Sequence, residues 1–302
     1  MATVAVIGDV ILDKNVFVQY VRHRESAPVY DARQELWQAG GAANVAINLV
    51  TLGNNVDLFG VVGNDVEGKL LDGLICEKKV NFNVLVDNSR RTSVRQRVIE
   101  NNNKIFRVAY EDRMPITSEH IKKILEKCRE YDALVVVDYQ NGMITPPLIK
   151  KLLAQQRKIK KPIFIDAKPE NVLACRGATI VKMNSADCQM VVPHTEDICS
   201  AQQLQRKLNT DIFLTRGMRG SALFLRDLAK PFLICNTRLK HTGKKIVDET
   251  GAGDTALAVM VHFYLQGENL RSVAERATKA GSVAVRHNGL FHATCEELDE
   301  IS

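Results

Sequence analysis

The segment Thr250-Gly251-Ala252-Gly253-Asp254 leads straight into the apolar run Thr255-Ala256-Leu257-Ala258-Val259-Met260. Glycines where a turn opens a helix leave successive backbone N–H groups at the positive end of the helix dipole, an arrangement that stabilises phosphate charge. Asp254 falls in the first helical turn. There a carboxylate can take the proton of an acceptor hydroxyl while a phosphoryl group transfers. A plain Gly-rich turn with an Asp favoured by the dipole has the same pattern, so this segment alone leaves both readings open.

A second Gly-rich segment, Ala39-Gly40-Gly41-Ala42-Ala43-Asn44-Val45-Ala46, also opens a helix after a strand. Gly40 and Gly41 permit close backbone approach by a ligand, and Asn44 offers a polyol both a donor and an acceptor. A tight strand-to-helix turn explains the same residues. Asp9 and Asp13 follow the first strand, at the carboxyl end where ligands of parallel sheets gather. Either carboxylate can bind two sugar hydroxyls or simply cap a turn.

The elements that position these groups follow from the hydrophobic rhythm. Short apolar runs (Val4–Ile7, Val56–Val62, Ala133–Val137, Ile163–Ile165, Ile180–Met183) alternate with helical patterns (Ala42–Leu52, Gly68–Glu77, Pro147–Gln156). That alternation predicts βαβ units wound into a mostly parallel sheet. Two segments break it, at about 14–37 and about 90–110. Their strand-period alternation, as in Thr92-Ser93-Val94-Arg95-Gln96-Arg97-Val98-Ile99 with a turn at Asn101-Asn102-Asn103, predicts a small β-sheet projecting from the main body. Strands at Ile212–Thr215 and Ser221–Leu225 flank a Gly-containing turn. Helices are expected from Asp254 to about Gln266 and from Leu270 to about Val285.

Composition narrows the function classes. The 302 residues are 45% hydrophobic and 25% charged, ordinary globular values. Seven cysteines without a C-x-x-C pair fit reduced thiols and a cytoplasmic protein, and offer no zinc site. The N-terminus reads as a first buried strand, and no run of about 18 apolar residues predicts a membrane span. A formal charge of +6, 41 Lys and Arg against 35 Asp and Glu, raises the question of nucleic acid, but lysine pairs such as Lys122-Lys123 and Lys150-Lys151 lack interleaved aromatics, which favours a solvated surface and a basic cleft for anionic small molecules.

Taken together, these segments resemble the PfkB/ribokinase family of carbohydrate kinases. Two separated motifs carry the likeness in order: Gly40-Gly41-Ala42-Ala43-Asn44 through Ala46 and Gly53 to Gly63, and Asp248-Glu249-Thr250-Gly251-Ala252-Gly253-Asp254. The resemblance spans essentially the whole chain. It implies one kinase domain over 1–302, a ribokinase-like three-layer α/β/α fold with a mostly parallel central sheet and the projecting β-sheet as a lid. It implies Asp254 as catalytic base and Gly251, Ala252 and Gly253 as an anion hole. Asp13, Gly40, Gly41 and Asn44 would bind sugar, and Asn184, Thr215, Gly217, Gly220 and Lys168 would bind ATP. Asp187 would act on Mg²⁺ indirectly, and Asp248 lies where relatives build a potassium site.

Within the family the likeness is greatest to kinases that phosphorylate D-glycero-D-manno-heptose 7-phosphate at the anomeric hydroxyl. It rests on Ser26-Ala27-Pro28-Val29, Arg95-Gln96-Arg97-Val98-Ile99 to Arg107, Asp138-Tyr139-Gln140-Asn141-Gly142 and Ile165-Asp166-Ala167-Lys168-Pro169. On that reading Arg22, Arg95, Arg97 and Arg107 sit in the lid, where guanidinium groups grip a sugar's phosphate. Arginines on an exposed strand face need no ligand, so this is an expectation. The sequence departs from the family at Glu249, at Val259 in place of a small residue, at Asp187 in place of a Glu, and at Arg24-Glu25-Ser26. The heptose enzymes often carry a fused nucleotidyltransferase domain, and the kinase portion alone is expected here. Rival expectations are a kinase for another sugar, sugar phosphate or nucleoside, and a non-catalytic relative that binds ligands. A dinucleotide dehydrogenase is disfavoured because no G-x-G-x-x-G follows the first strand. Lid strands that pair between subunits would give a homodimer.

Overall fold

The computed structural model of the chain describes residues 1–24, 27–101, 103–235 and 247–299. Glu25, Ser26 and Asn102 of the segments above lie outside them. Strand β1 (Thr3–Gly8) is flanked by β4 (Asn55–Val62) and β8 (Ala133–Val137), and all three run parallel. Beyond β4 comes β5 (Asn81–Val86). Beyond β8 come β9 (Ile163–Asp166), β10 (Ile180–Asn184) and β11 (Asp211–Thr215), then the antiparallel β12 (Ser221–Phe224) and β13 (Phe232–Ile234). The strand order reverses at β1, so the chain leaves β1 and β8 on either side of a switch point where ligands of such sheets bind.

Alternate residues of each strand enter opposite cores. Val4, Val6, Val135 and Val137 pack with the helices Ala42–Thr51, Ala252–Leu265 and Leu270–Ala284. Ala5, Ile7, Leu134 and Val136 pack with the helices Ser118–Lys127, Pro146–Ile159 and Asp197–Leu208. The result is the expected three-layer α/β/α arrangement, with the central strands β1 and β8 buried on both faces and therefore apolar almost throughout.

The projecting sheet has the order β3-β2-β6-β7, built from β2 (Val10–Arg24), β3 (Ala27–Gly41), β6 (Val94–Glu100) and β7 (Asn103–Tyr110). Its two long strands start earlier and end later than the segment 14–37. β2 begins one residue beyond Asp9, and β3 runs directly into the Ala42–Thr51 helix, so the lid is rooted at the switch point. Asn101 takes a left-handed conformation (φ 49°) at the β6–β7 hairpin, as Asn tolerates. No helix among the described residues is long and apolar enough to cross a membrane. All seven cysteines are free.

Candidate active site

Asp254 stands in the first turn of the Ala252–Leu265 helix, which Gly251 caps in a left-handed conformation (φ 77°). A side chain at Gly251 would meet Asn44 Nδ2 at 2.7 Å, so glycine is required by both backbone and space. No side chain caps this helix, and Ala252 N makes only a long 3.4 Å contact to the Glu249 carbonyl, so its first amide N–H groups can turn to an anion. Asp254 is only 2% exposed. Asn44 Nδ2 donates to its Oδ2 at 2.9 Å and the Tyr139 hydroxyl to its Oδ1 at 2.8 Å. Burial pushes its pKa up to about 6, even though Asn44, the Lys182 ammonium and Tyr139 favour the charged form. A carboxylate poised there is a competent base near neutral pH.

On one side of Asp254 opens a cavity of about 530 Å³ at the carboxyl ends of β8 to β11. Its walls bring together the expected nucleotide residues Asn184, Thr215, Gly217, Gly220 and Lys168 with Gly251, Ala252, Gly253 and Asp254. Lys182 of β10 also faces it. Its Nζ is 2.6 Å from Asp166 Oδ2 of the neighbouring strand, and a Cβ on Gly253 would lie 3.1 Å from that ammonium. A positive charge therefore sits directly beneath the anion-binding turn.

The other side holds a cavity of about 340 Å³, lined by Asp13, Gly41, Arg95, Arg97, Lys104 and Arg107 along with Tyr139 and Asp254. Arg97 donates to Asp13 Oδ1 at 2.5 Å and Arg95 Nε to Glu111 at 2.6 Å. A Cβ on Gly40 would lie 1.9 Å from Asp13 Oδ2, so that glycine makes room for the carboxylate. Burial raises the Asp13 pKa, against the pull of Arg97. Among the described residues no carboxylate pairs with Arg107. Partial burial and the adjacent guanidiniums of Arg95 and Arg97 push its pKa down, the mark of crowded positive charge facing an open space.

Several expected residues stand elsewhere. Arg22 lies near the far end of β2, paired with Val29 and exposed, and does not line the cavity. Asn44 is fully buried behind Asp254 instead of facing a sugar. The Asp9 carboxylate is filled by the backbone N–H groups of Tyr139, Asn141 and Met143, so it shapes the loop after β8. Sequence reading passed over Tyr139, Lys182, Asp166 and Lys104 as site residues. Lys182 had a signal: a charge inside the apolar run Ile180–Met183.

Asp187 is not among the residues that line the larger cavity. It accepts from Lys168 Nζ at 2.6 Å and Asn184 Nδ2 at 2.8 Å at the cavity wall. With the Lys168 ammonium already on its carboxylate, Asp187 is left no more than an indirect role toward a magnesium ion carried by nucleotide phosphates. Asp248 does not fit a potassium ion as these residues stand. Its Oδ1 accepts from Lys104 Nζ at 2.7 Å and from the Thr250 hydroxyl at 2.7 Å, and its Oδ2 from Gly289 N at 3.2 Å. An ammonium already occupies the place of a cation. Among the described residues no group of three or more His, Cys, Asp or Glu gathers to hold a metal.

Comparison with known proteins decides the family, because the model of the pfkB family carbohydrate kinases matches residues 1–295. The chain belongs to the PfkB family of carbohydrate kinases. It is a phosphotransferase with an alcohol acceptor, as the family is. Its curated relatives include bifunctional protein HldE of Hydrogenovibrio crunogenus, 31% identical over 306 residues, covering 98% of this chain and 62% of the relative. The namesake of Nitratiruptor sp. is 31% identical over 309 residues, with 98% and 64% covered. The chain thus spans about three-fifths of the length of these relatives. In fold it is similar to phosphofructokinase-2 of Escherichia coli in complex with substrates and products (TM-score 0.80, 16% identity, 100% of this chain and 98% of that one). It is also similar to Arabidopsis thaliana ribokinase complexed with ribose and ATP (TM-score 0.76, 18% identity, 99% and 98%).

Proposed function

We propose that this PfkB kinase acts on a sugar that already carries a phosphate, and specifically on D-glycero-D-manno-heptose 7-phosphate at its anomeric hydroxyl. The observation that carries the first part is the sugar-side cavity, where Arg95, Arg97 and Arg107 crowd one wall and Arg107 has no carboxylate partner among the described residues. Arg95 and Arg97 already meet Glu111 and Asp13, which leaves Arg107 as the guanidinium available to an anion among the described residues, and a phosphate dianion meets the fork geometry of arginine. The heptose reading rests on the likeness of the Arg95–Arg107, Asp138–Gly142 and Ile165–Pro169 segments to heptose 7-phosphate kinases.

In this reading ATP lies in the larger cavity, its transferring phosphate against the amides of Gly251 to Gly253 and near the Lys182 ammonium. Mg²⁺ on the ATP phosphates, near Asn184 and Asp187, supplies charge neutralisation. Asp13 accepts sugar hydroxyls through Oδ2, which receives no protein donor among the described residues. Asp254 lies between the cavities and takes the acceptor proton, while the helix N-terminus and Lys182 stabilise charge on the phosphoryl group. The lid strands β3 and β7 leave sheet edges that a second copy would cover, so a homodimer is part of this proposal.

ADP release with Mg-ATP, measured over a panel of neutral and phosphorylated sugars, tests the reading. Preferential turnover of the heptose phosphate, with a new anomeric phosphate by ³¹P NMR, supports it. Turnover of neutral sugars alone removes the phosphate-specific part and leaves the kinase. ATP binding without turnover on any sugar favours a non-catalytic relative.

A further inference from the structure

The loop after β8 is built with unusual care for one side chain. The backbone N–H of Tyr139 donates to Asp9 Oδ2 at 2.7 Å, and the same carboxylate receives Met143 N at 3.0 Å. A second buried carboxylate, Asp138, accepts from Gln140 N at 2.9 Å and from Asn171 Nδ2 at 2.9 Å. Between these anchors Gln140 is held at φ 61°, a left-handed conformation that a Gln adopts only where its surroundings enforce it. Pinned from both sides, the turn presents Tyr139 at the wall shared by the two cavities.

The Tyr139 ring carries the Arg95 guanidinium 4.9 Å from its centroid, a contact that a phenylalanine ring would also make. Its hydroxyl is a different matter, since its partner is Asp254 Oδ1 at 2.8 Å. Asn44 holds the other oxygen, so the carboxylate is fixed in rotation from two elements. We propose that Tyr139 is a positioning residue that orients the Asp254 carboxylate for proton acceptance and keeps it in the charged, basic form. This inference rests on the reading of Asp254 as the base.

The electrostatics agree with the geometry. Burial and the negative charges of Asp254 and Asp166 hold the Tyr139 phenol well above its usual range, so it remains a donor at any working pH and cannot itself be the base. A hydrogen bond to the ionised form lowers a carboxylate's pKa, and its loss raises it. The other charged groups facing Asp254 are Lys182 of β10 and Asp166 of β9. Across the sugar-side cavity stand Asp13, Arg95, Arg97, Lys104, Arg107 and Glu249. A Tyr139→Phe change leaves all of these in place.

The test is Tyr139→Phe, with its melting temperature measured first to show that the variant folds. The expected result is a fall in kcat of about 10- to 100-fold, with KM for both substrates within about threefold. The acid limb of the kcat/KM profile should also move up by about one pH unit. Carboxyl ¹³C NMR titration of Asp254, assigned by difference from Asp254→Asn, should show the same upward shift without any need for turnover. An unchanged kcat together with an unchanged Asp254 titration overturns the proposal. An inactive wild type would instead remove the functional reading, while the carboxyl titration would still decide whether Tyr139 controls Asp254.

Discussion

The two cavities that meet at Asp254 are built from different materials. The nucleotide side is the larger and more mixed, with Gly217, Gly220, Gly251, Ala252 and Gly253 on its wall among Lys168, Arg216 and Arg219, and the buried Lys182 ammonium close to Gly253. The sugar side is a ring of long charged side chains, with Arg95 and Arg97 from β6 and Lys104 and Arg107 from β7. Backbone amides recognise a phosphate chain common to every reaction that consumes ATP. Side chains on a separate sheet can be exchanged without disturbing that recognition. On the proposed reading, the difference places chemistry in the α/β body and choice of acceptor in the projecting sheet.

The largest effect that tests this division comes from Asp254, which lines both cavities. Asp254→Asn is expected to lower kcat by about a thousandfold or more, with ATP affinity within about threefold by calorimetry. Retained turnover would remove the base from the account. Next comes Arg97→Ala, which leaves Asp13 buried without its partner and should cost about 3 kcal/mol of stability, read as a lower unfolding midpoint in urea. Arg107→Ala marks the contrast within the same cavity. No partner is stranded, so stability should hold within about 0.5 kcal/mol. KM for a sugar phosphate should rise about 10- to 100-fold while KM for ATP is unchanged, which corresponds to about 1.4–2.8 kcal/mol of lost binding.

The pH dependence divides in the same way. Asp254 must be ionised to accept a proton, and its pKa is raised to about 6. Activity should therefore be full above pH 7 and fall as pH drops through about 6, with ATP binding unaffected across that limb. The smallest expected effect is at Lys104, half exposed and joining the lid to Asp248 beside the anion turn. Lys104→Ala should change kcat by no more than about threefold and stability by at most about 1 kcal/mol.

Much of the body was legible because its physics is local. Central strands such as β1 and β8 read as apolar runs, and a Gly-rich turn before an apolar helix marks Asp254 wherever the helix later packs. The lid was legible as alternating strands, but not its reach. Arg22 lies far along β2 from Asp13, roughly 30 Å at the rise of an extended chain, and proximity along the sequence concealed that distance. Asn44 looked like a ligand because its amide suits a sugar. Only the packing of the Ala42–Thr51 helix against the Ala252–Leu265 helix turns that amide toward Asp254. Tyr139 carried no spacing signal, since its role depends on Asp9 and Asp138 anchoring the turn around it. Lys182 could have been found, because a lysine inside a fully buried strand requires a charged partner, and Asp166 stands opposite it in register.

The central claim is that the lid cavity selects a phosphorylated sugar for transfer at Asp254. Its most direct test is the ratio of kcat/KM for D-glycero-D-manno-heptose 7-phosphate to that for the same heptose without phosphate, at saturating Mg-ATP. The account predicts a ratio of about 100 or more, roughly 2.8 kcal/mol of discrimination, that collapses toward unity when Arg107 and Arg97 are both replaced by alanine. A ratio near one in the wild-type protein, or a preference for the neutral sugar, would contradict it.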